Sequence, residues 1–239
     1  MPSAKRFARL DQLIASLGYG SRRDVEGFIR QGRVQVAGMS KLSSDVRFDP
    51  ALISFDGEPL DHPHGILVLL NKPVGYVCSH NEKEGQTVYE LLPKRWSKRE
   101  PQVVTVGRLD KETSGLLLLT DQHDLVHRLT SPKHHVDKVY EVDLDRPISA
   151  DAIEIFKAGA LFLDCETKPC LPAQLEILSE KKARITLQEG RYHQVRRMFA
   201  AIGNHVVGLQ RLQFGHLDLS GITEGQFKHL PINTFTTQK

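Results

Sequence analysis

A short segment rich in proline and glycine interrupts this chain of 239 residues well before its middle. The segment is Glu58-Pro-Leu-Asp-His-Pro-His-Gly65, and two prolines this close together break a helix and a central strand alike. We therefore expect the chain to divide here, into a small unit over residues 1–60 and a larger one over residues 61–239. The length allows one small and one medium-sized domain.

The two parts differ in charge. The first 48 residues hold nine Lys or Arg and four Asp or Glu, a local net charge of +5, whereas the whole chain carries only +3. The overall value is too small to indicate a nucleic-acid partner. The local excess of Lys and Arg is more informative than the total charge, because nucleic acids bind to clustered positive charge.

The basic part has the pattern of two short helices followed by short strands. Apolar residues recur at i, i+3, i+4 and i+7 from Leu10 to Leu17, which predicts an amphipathic helix. Ser21 is a candidate N-cap for a second helix, and Arg22 and Arg23 would lie on its outer side. Val34 begins the first strand of a small sheet.

The larger part alternates strands with a few helices. Asp121 and Ser149 are candidate N-caps of two helices, and Arg191–Ile202 is a third predicted helix. This pattern predicts an α+β fold with a mixed, mainly antiparallel sheet flanked by helices. The predicted strands are Ile66–Leu70, Val103–Val106, Leu116–Thr120, Lys138–Leu144, Leu175–Leu178 and Ala183–Leu187.

Several classes of protein are disfavoured. No apolar run approaches the roughly 18–20 residues of a membrane helix, and residues 1–7 have no apolar signal region. The three cysteines, Cys78, Cys165 and Cys170, form no C-x-x-C pair. We therefore expect a soluble protein of the reducing cytoplasm, with no membrane partner and no structural zinc.

One polar segment between two predicted strands has an unusual composition: Gly107-Arg-Leu-Asp-Lys-Glu-Thr-Ser-Gly115. It lacks G-x-x-x-x-G-K-[ST], so it is not a phosphate-binding P-loop, and its oxygen ligands do not alternate as in a calcium loop. Asp110 directly follows a buried strand and an arginine, and in this position its carboxylate could be held in place and ionised. An ordinary polar connection is the alternative.

The helix over Arg191–Ile202 presents two arginines differently. On a helical wheel Arg196 flanks the apolar side and can reach inward, where it needs a carboxylate partner. Arg197 points almost opposite, so we expect it to face solvent and contact RNA. In the predicted strand Lys138–Leu144, Lys138 and Tyr140 share one face, either as an ordinary sheet edge or as a stacking platform with a phosphate-binding neighbour.

A zinc site is the competing interpretation. His123 and His127 are four residues apart on a predicted helix and could share a metal ion. However, Asp124 stands where H-E-x-x-H has glutamate, and no third ligand is obvious. We predict helix-surface histidines and no metal site.

Four segments in order resemble the pseudouridine synthases: Gly107-Arg-Leu-Asp110, Lys138-Val-Tyr140, Ile185-Thr-Leu187 and Gly190-Arg-Tyr-His-Gln-Val-Arg196. The resemblance is closest to the ribosomal small-subunit type A family, through Asn71-Lys-Pro-Val-Gly-Tyr-Val-Cys-Ser79, Thr130-Ser-Pro-Lys-His-His135 and Gly203-Asn-His-Val-Val207. The basic part resembles the α-L (S4-like) RNA-binding module through Ser21-Arg-Arg and Gly32-Arg-Val-Gln-Val-Ala-Gly38. It departs from that module mildly at Val25 and Ala37.

The resemblance implies roles for individual residues. Asp110 would be the catalytic carboxylate, Arg196 its ionic partner and Tyr140 the aromatic residue that stacks on the target base. For Lys72 and Pro73, a structural role and a functional role are weighted equally. Contacts with the substrate RNA are assigned to Arg108, Leu187, Lys138, Arg22, Arg23 and Arg197.

The implied function is conversion of a specific uridine of 16S ribosomal RNA, uridine-516, to pseudouridine. No cofactor is expected, because the isomerisation oxidises nothing and releases no group. The expected partner is 16S ribosomal RNA in a partly assembled small-subunit particle, bound by a monomer. A non-catalytic RNA-binding factor, which could dispense with Asp110, Tyr140 and Arg196, and a zinc hydrolase using His123 and His127 are the alternatives.

Overall fold

The chain folds around separate hydrophobic cores. A computed structural model describes residues 7–131 and 134–235. One core collects apolar side chains from Leu10 to Leu60, and two further cores lie in the remainder of the chain. The predicted division between residues 60 and 61 coincides with the end of the first core and stays a prediction. Lys5 and Arg6 of the basic part, and Pro132 and Lys133 of the segment Thr130–His135, lie outside the described residues.

From residue 7 onward the N-terminal unit contains two α-helices and five short strands. Its strands pair antiparallel: β1 with β3, β2 with β4, and β4 with β5. Ser21 does not cap the second helix as predicted. Instead the Asp24 carboxylate accepts hydrogen bonds from the Ser21 amide and hydroxyl, at 2.8 and 2.7 Å. The elements are β1 (Ala8–Arg9), α1 (Leu10–Ser16), α2 (Asp24–Arg30), β2 (Val34–Val36), β3 (Arg47–Phe48), β4 (Ile53–Phe55) and β5 (Glu58–Pro59).

The larger unit is built on one sheet, and its described residues, 61–131 and 134–235, form three short α-helices. Within the described residues no helix is long and apolar enough to cross a membrane. Short 3-10 turns lie between β6 and β7 and near the C-terminus. The elements are β6 (Leu67–Lys72), β7 (Val104–Thr105), β8 (Ser114–Thr120), α3 (His123–Thr130), β9 (Lys138–Leu144), α4 (Asp151–Lys157), β10 (Gln174–Ser179), β11 (Lys182–Leu187), α5 (Gln194–Ala201), β12 (Val206–Phe214), β13 (Leu217–Asp218) and β14 (Phe227–His229).

The strand order of this sheet is β10-β11-β9-β12-β8-β6-β14. Neighbours run antiparallel except β12 and β8, which are parallel. The predicted α+β class and the mixed, mainly antiparallel sheet are therefore confirmed. The sequence patterns did not predict β12, although it lies in the middle of the sheet.

Both faces of the central strands are buried. Along β6, Val68 and Leu70 belong to one core, while Leu67 and Leu69 belong to the other. Successive side chains of a strand point to opposite faces, so a strand covered on both sides is apolar at nearly every position. This explains the uninterrupted apolar runs that predicted β6 and β8.

Asp121 has a different role from the predicted helix cap. It is buried, its Oδ2 accepts a hydrogen bond from Arg99 at 2.9 Å, and its Oδ1 accepts one from the Ile66 amide at 2.8 Å. Arg99 also donates to the carbonyl oxygens of Asp61 and His62. The pair therefore fixes the segment that joins the two units against the start of β6 and the end of β8.

The predicted cap at Ser149 is wrong in the same way. The helix α4 begins at Asp151 with no side-chain cap, and the Ser149 carbonyl oxygen, rather than its hydroxyl, accepts from the Ala152 amide at 3.1 Å.

Substituting Asp121→Asn should destabilise the protein by about 3–5 kcal/mol, because it leaves the Arg99 charge buried without a counter-charge. Urea denaturation measures the change. Asp124→Asn is the matched control, since Asp124 lies exposed on the adjoining helix and its loss should be almost neutral. Equal stabilities of the two variants would contradict this role of the pair.

Candidate active site

A cavity of about 340 Å³ brings together residues from distant parts of the larger unit. Its volume is in the range typical of small-molecule sites. Five of the residues singled out in the sequence line it: Arg108, Asp110, Lys138, Tyr140 and Leu187.

Two adjacent strands and one loop position these side chains. Lys138 and Tyr140 lie two residues apart in β9 and so share one face of the sheet. Leu187 of β11 lies directly opposite Lys138 in the antiparallel register. Tyr140 and Leu187 are buried, whereas the Asp110 side chain is one-third exposed. The cavity thus combines an apolar floor with an accessible carboxylate at its side.

The loop that carries Asp110 is folded around a buried lysine. Lys72, the last residue of β6, has no exposed surface. Its Nζ donates to the carbonyl oxygens of Thr113 at 2.7 Å, Pro73 at 3.0 Å, Asp110 at 3.1 Å and Lys111 at 3.4 Å. Burial lowers the pKa of Lys72 to about 8, so at neutral pH it remains an ammonium group able to donate. Of the two roles considered for Lys72, the contacts show the structural one.

The neighbour of the Asp110 carboxylate is a histidine. His193 Nε2 lies 3.3 Å from Asp110 Oδ1. His193 directly precedes α5 and has a left-handed backbone, with φ of 48°, a conformation uncommon for residues other than glycine. The ring of Tyr192 stacks on it at 3.9 Å. Sequence reasoning missed this contact, although His193 stands within the segment Gly190–Arg196.

The predicted ion pair between Arg196 and Asp110 is contradicted. Arg196 Nη1 donates to the Val206 carbonyl oxygen at 3.0 Å, and Nη2 donates to the Glu112 carbonyl oxygen at 2.9 Å. The helical wheel gave the direction of the side chain but could not give its reach. The guanidinium links the loop to the start of β12.

Arg197 is not the solvated charge that was predicted. Its Nη1 lies 3.2 Å from Glu166 Oε1 and 3.1 Å from the Tyr192 carbonyl oxygen, and its Nη2 donates to the Asp164 carbonyl oxygen. The wheel placed it opposite the core correctly, but residues 164–166 cover that side of the helix. Arg197 therefore ties α5 to this segment.

The two arginines of the N-terminal unit differ from each other. Arg22 Nη2 lies 2.7 Å from Asp11 Oδ2, and about half of its side chain is exposed. Burial alone would raise the pKa of Asp11, but hydrogen bonds from Arg9 and Arg22 outweigh it and lower that pKa to about 2. Arg23 is exposed. Arg22 thus has a structural contact, whereas Arg23 is available at the surface.

His123, one of the two histidines of the competing zinc interpretation, contacts the protein backbone. His123 Nε2 lies 3.0 Å from the Gln102 carbonyl oxygen, a contact that requires a proton on that nitrogen. Across residues 7–131 and 134–235, no group of three or more His, Cys, Asp or Glu side chains is arranged to hold a metal ion. The geometry gives no support to a zinc hydrolase.

Comparison with known families identifies both units. Residues 66–201 match the family model described as RNA pseudouridylate synthase, and residues 8–39 match that of the S4 domain. The fold and the cavity therefore belong to an RNA-modifying isomerase with an S4 domain. The chain is a member of the RNA pseudouridine synthase family.

Relatives match over almost the whole chain. The ribosomal small subunit pseudouridine synthase A of Escherichia coli (strain K12) is 40% identical over 227 residues, which cover 93% of this chain and 96% of that protein. An uncharacterised RNA pseudouridine synthase of Bacillus subtilis, YtzG, is 38% identical over 229 residues, with 93% and 94% covered. A crystal structure of a pseudouridylate synthase has a TM-score of 0.65 at 37% identity and covers 93% of this chain and 96% of its own.

Substituting Lys72→Met should lower the rate of pseudouridine formation by about a hundredfold, because displacing a reacting group by even 1 Å has effects of this size. The loop carbonyl groups lose their shared donor, so amide hydrogen exchange over residues 107–113 should accelerate. Lys111→Met, which removes an exposed lysine of the same loop, is the control. A slow variant with unchanged exchange in this loop would refute the positioning role.

Proposed function

We propose that this enzyme converts a uridine of small-subunit ribosomal RNA, uridine-516 of 16S RNA, to pseudouridine, with Asp110 as the catalytic carboxylate. The substrate assignment is supported by the likeness to the ribosomal small subunit pseudouridine synthase A of Escherichia coli. The observation that carries the catalytic assignment is the partly exposed carboxylate of Asp110 in the cavity floored by Tyr140 and Leu187.

The chemistry requires few groups. The bond between N1 and C1′ breaks, the base turns, and a bond forms between C5 and C1′, while C5 loses one proton and N1 gains one. One carboxylate in a shielded pocket is suited to start this sequence. Asp110 is the acidic group that reaches the cavity from the loop held by Lys72, so it is our assignment for that role.

A stacked base cannot reach the carboxylate, so the target nucleotide must turn out of its helix. In our proposal the flipped uracil stacks on Tyr140 and packs against Leu187. Arg108 is exposed at the mouth of the cavity, where it can occupy the place the nucleotide leaves. Lys138 approaches the same base from β9.

Arg196 receives a different role from the one implied by the resemblance. Its two hydrogen bonds join the Glu112 carbonyl oxygen, two residues beyond Asp110, to the Val206 carbonyl oxygen at the start of β12. We propose that Arg196 is a positioning residue, which keeps the loop against the sheet. It acts on the carboxylate through the backbone.

The N-terminal unit would hold the RNA. Its S4 match, its local charge of +5 and the exposed Arg23 support docking on the phosphate backbone. We propose further that the enzyme works as a monomer in the cytoplasm on a partly assembled small-subunit particle.

Substituting Asp110→Asn should abolish product while RNA binding persists, because the amide cannot supply the negative charge. Pseudouridine is mapped by reverse-transcription stops after carbodiimide treatment of a 16S RNA substrate. Glu112→Gln is the matched control, since Glu112 lies exposed in the same loop and contributes its carbonyl oxygen. Equal product from wild type and Asp110→Asn would exclude Asp110 as the catalyst, and a stop only at another uridine would exclude the assigned position.

The double substitution Arg22→Gln with Arg23→Gln should weaken RNA binding. It should also reduce the slope of log affinity against log salt by about 1 for every phosphate group that the variant no longer neutralises. Glutamine is preferable to glutamate at position 22, because a second carboxylate there would face Asp11. The control, Lys157→Gln with Arg146→Gln, removes the same charge from exposed sites of the larger unit. An identical salt slope in both double variants would exclude RNA docking through Arg22 and Arg23.

A further inference from the structure

A buried arginine lies next to the aromatic platform of the cavity. Arg211 is in β12, directly opposite Tyr140 on one side and Gly115 on the other. Gly115 has φ of 103°, and a Cβ atom there would lie 2.2 Å from the Arg211 carbonyl oxygen, so only glycine lets the two strands meet here. Arg211 is 2% exposed and lines the cavity.

The guanidinium of Arg211 is only partly satisfied. Nε donates to the Leu116 carbonyl oxygen at 2.7 Å, whereas Nη2 is buried without a hydrogen-bond partner. Leaving a buried donor unpaired costs about 1–3 kcal/mol, and more for a charged group. Such a donor at the wall of a ligand cavity therefore calls for an explanation.

A second cation shares the same surroundings. Lys138 Nζ lies 5.5 Å from the centre of the Phe214 ring, and Arg211 Cζ lies 5.4 Å from it. Among the described residues neither cation forms an ion pair with a carboxylate. Burial first, and then the charge of Arg211, lower the pKa of Lys138 to about 8.

The two acidic groups whose charge acts on Lys138 have other hydrogen-bond or ion-pair partners. Glu189 Oε2 lies 3.0 Å from Arg191 Nε, and Asp137 accepts from Gln188 at 2.9 Å. Asp137 and Glu189 therefore act on Lys138 from a distance only, and neither cation beside the Phe214 ring is in direct contact with a carboxylate among the described residues. Because uncompensated buried charge is unfavourable, this wall of the cavity is suited to a ligand that carries negative charge.

We infer that Arg211, assisted by Lys138, binds the oxygen-bearing edge of the flipped uracil and stabilises the negative charge that the base acquires during the reaction. The inference rests on the proposed function. When the bond between N1 and C1′ breaks, its electron pair stays on the base and spreads onto the uracil oxygens. The pair is used again when C5 bonds to C1′, after which C5 releases its proton and N1 takes one up.

The position of Arg211 favours the base over the phosphate as its ligand. A uracil stacked on Tyr140 lies beside the strand neighbour of Tyr140, which is Arg211. The backbone phosphate would stay at the mouth of the cavity, near the exposed Arg108. A buried, fixed donor of this kind acts most strongly where charge develops in the transition state.

The test measures single-turnover rates at saturating RNA for wild type, Arg211→Gln, Arg211→Lys, Lys138→Gln and the control Arg184→Gln. Arg184 lies on β11, which β9 separates from β12, and it is partly exposed and paired with Glu176 at 3.0 Å. Arg211→Gln should lower the rate by about a hundredfold or more, as the loss of one transition-state donor does, with little change in RNA affinity. Arg211→Lys, which keeps the charge, should be less affected, and Arg184→Gln should equal wild type.

Melting temperatures accompany the rates, since Arg211 also contacts Leu116. If Arg211→Gln is unfolded, Lys138→Gln and Arg211→Lys decide: both must be folded and slowed at saturation. Losses confined to RNA affinity, with unchanged rates at saturation, would show a phosphate contact and overturn the inference, and so would unchanged rates and affinities. Absence of product from wild type on small-subunit RNA would instead contradict the proposed function itself.

Discussion

The hydrogen bonds of the buried Lys72 ammonium group hold the loop that carries Asp110. Four carbonyl oxygens converge on this group. A further hydrogen bond within the loop runs from the Thr113 amide to the Asp110 carbonyl oxygen. Hydrogen bonds to a charge are strong in a buried, weakly polar environment. A loop folded on such a centre holds its backbone fixed, while the partly exposed Asp110 side chain lies in the cavity beside His193.

The sheet supplies the other half of the arrangement. Asp110 precedes β8, Tyr140 lies in β9, Leu187 ends β11, and Arg211 lies in β12. The strand order β11-β9-β12-β8 places these four elements side by side, although the chain visits them in a different order. Rigid strands hold reacting groups more accurately than loops do, and the one loop in the set is the loop fixed by Lys72. The cavity is therefore largely formed before RNA arrives.

An element was predicted correctly where the residues that determine it are neighbours in sequence. The bounds of β9 were predicted correctly because its alternation is a property of seven successive residues, and the burial of β6 follows from its apolar run. Asp121 was misassigned because its partner Arg99 is 22 residues away in sequence, beyond the reach of a capping pattern. The strand β12 was missed because Arg211 stands at a buried position of it. The loop composition and the strand alternation singled out Asp110 and Tyr140, and the resemblance to the family gave them roles. The partners of Arg196 and Arg197 required coordinates.

We propose that this cavity receives a uridine turned out of an RNA helix, with its sugar beside Asp110. A crystal structure of the Asp110→Asn variant bound to an RNA hairpin containing the target uridine would show where the base binds. We expect the uracil to stack on Tyr140, with C1′ within contact distance of the side chain at position 110. A uracil that remains stacked in the RNA, or that binds elsewhere on the protein, would exclude this role of the cavity.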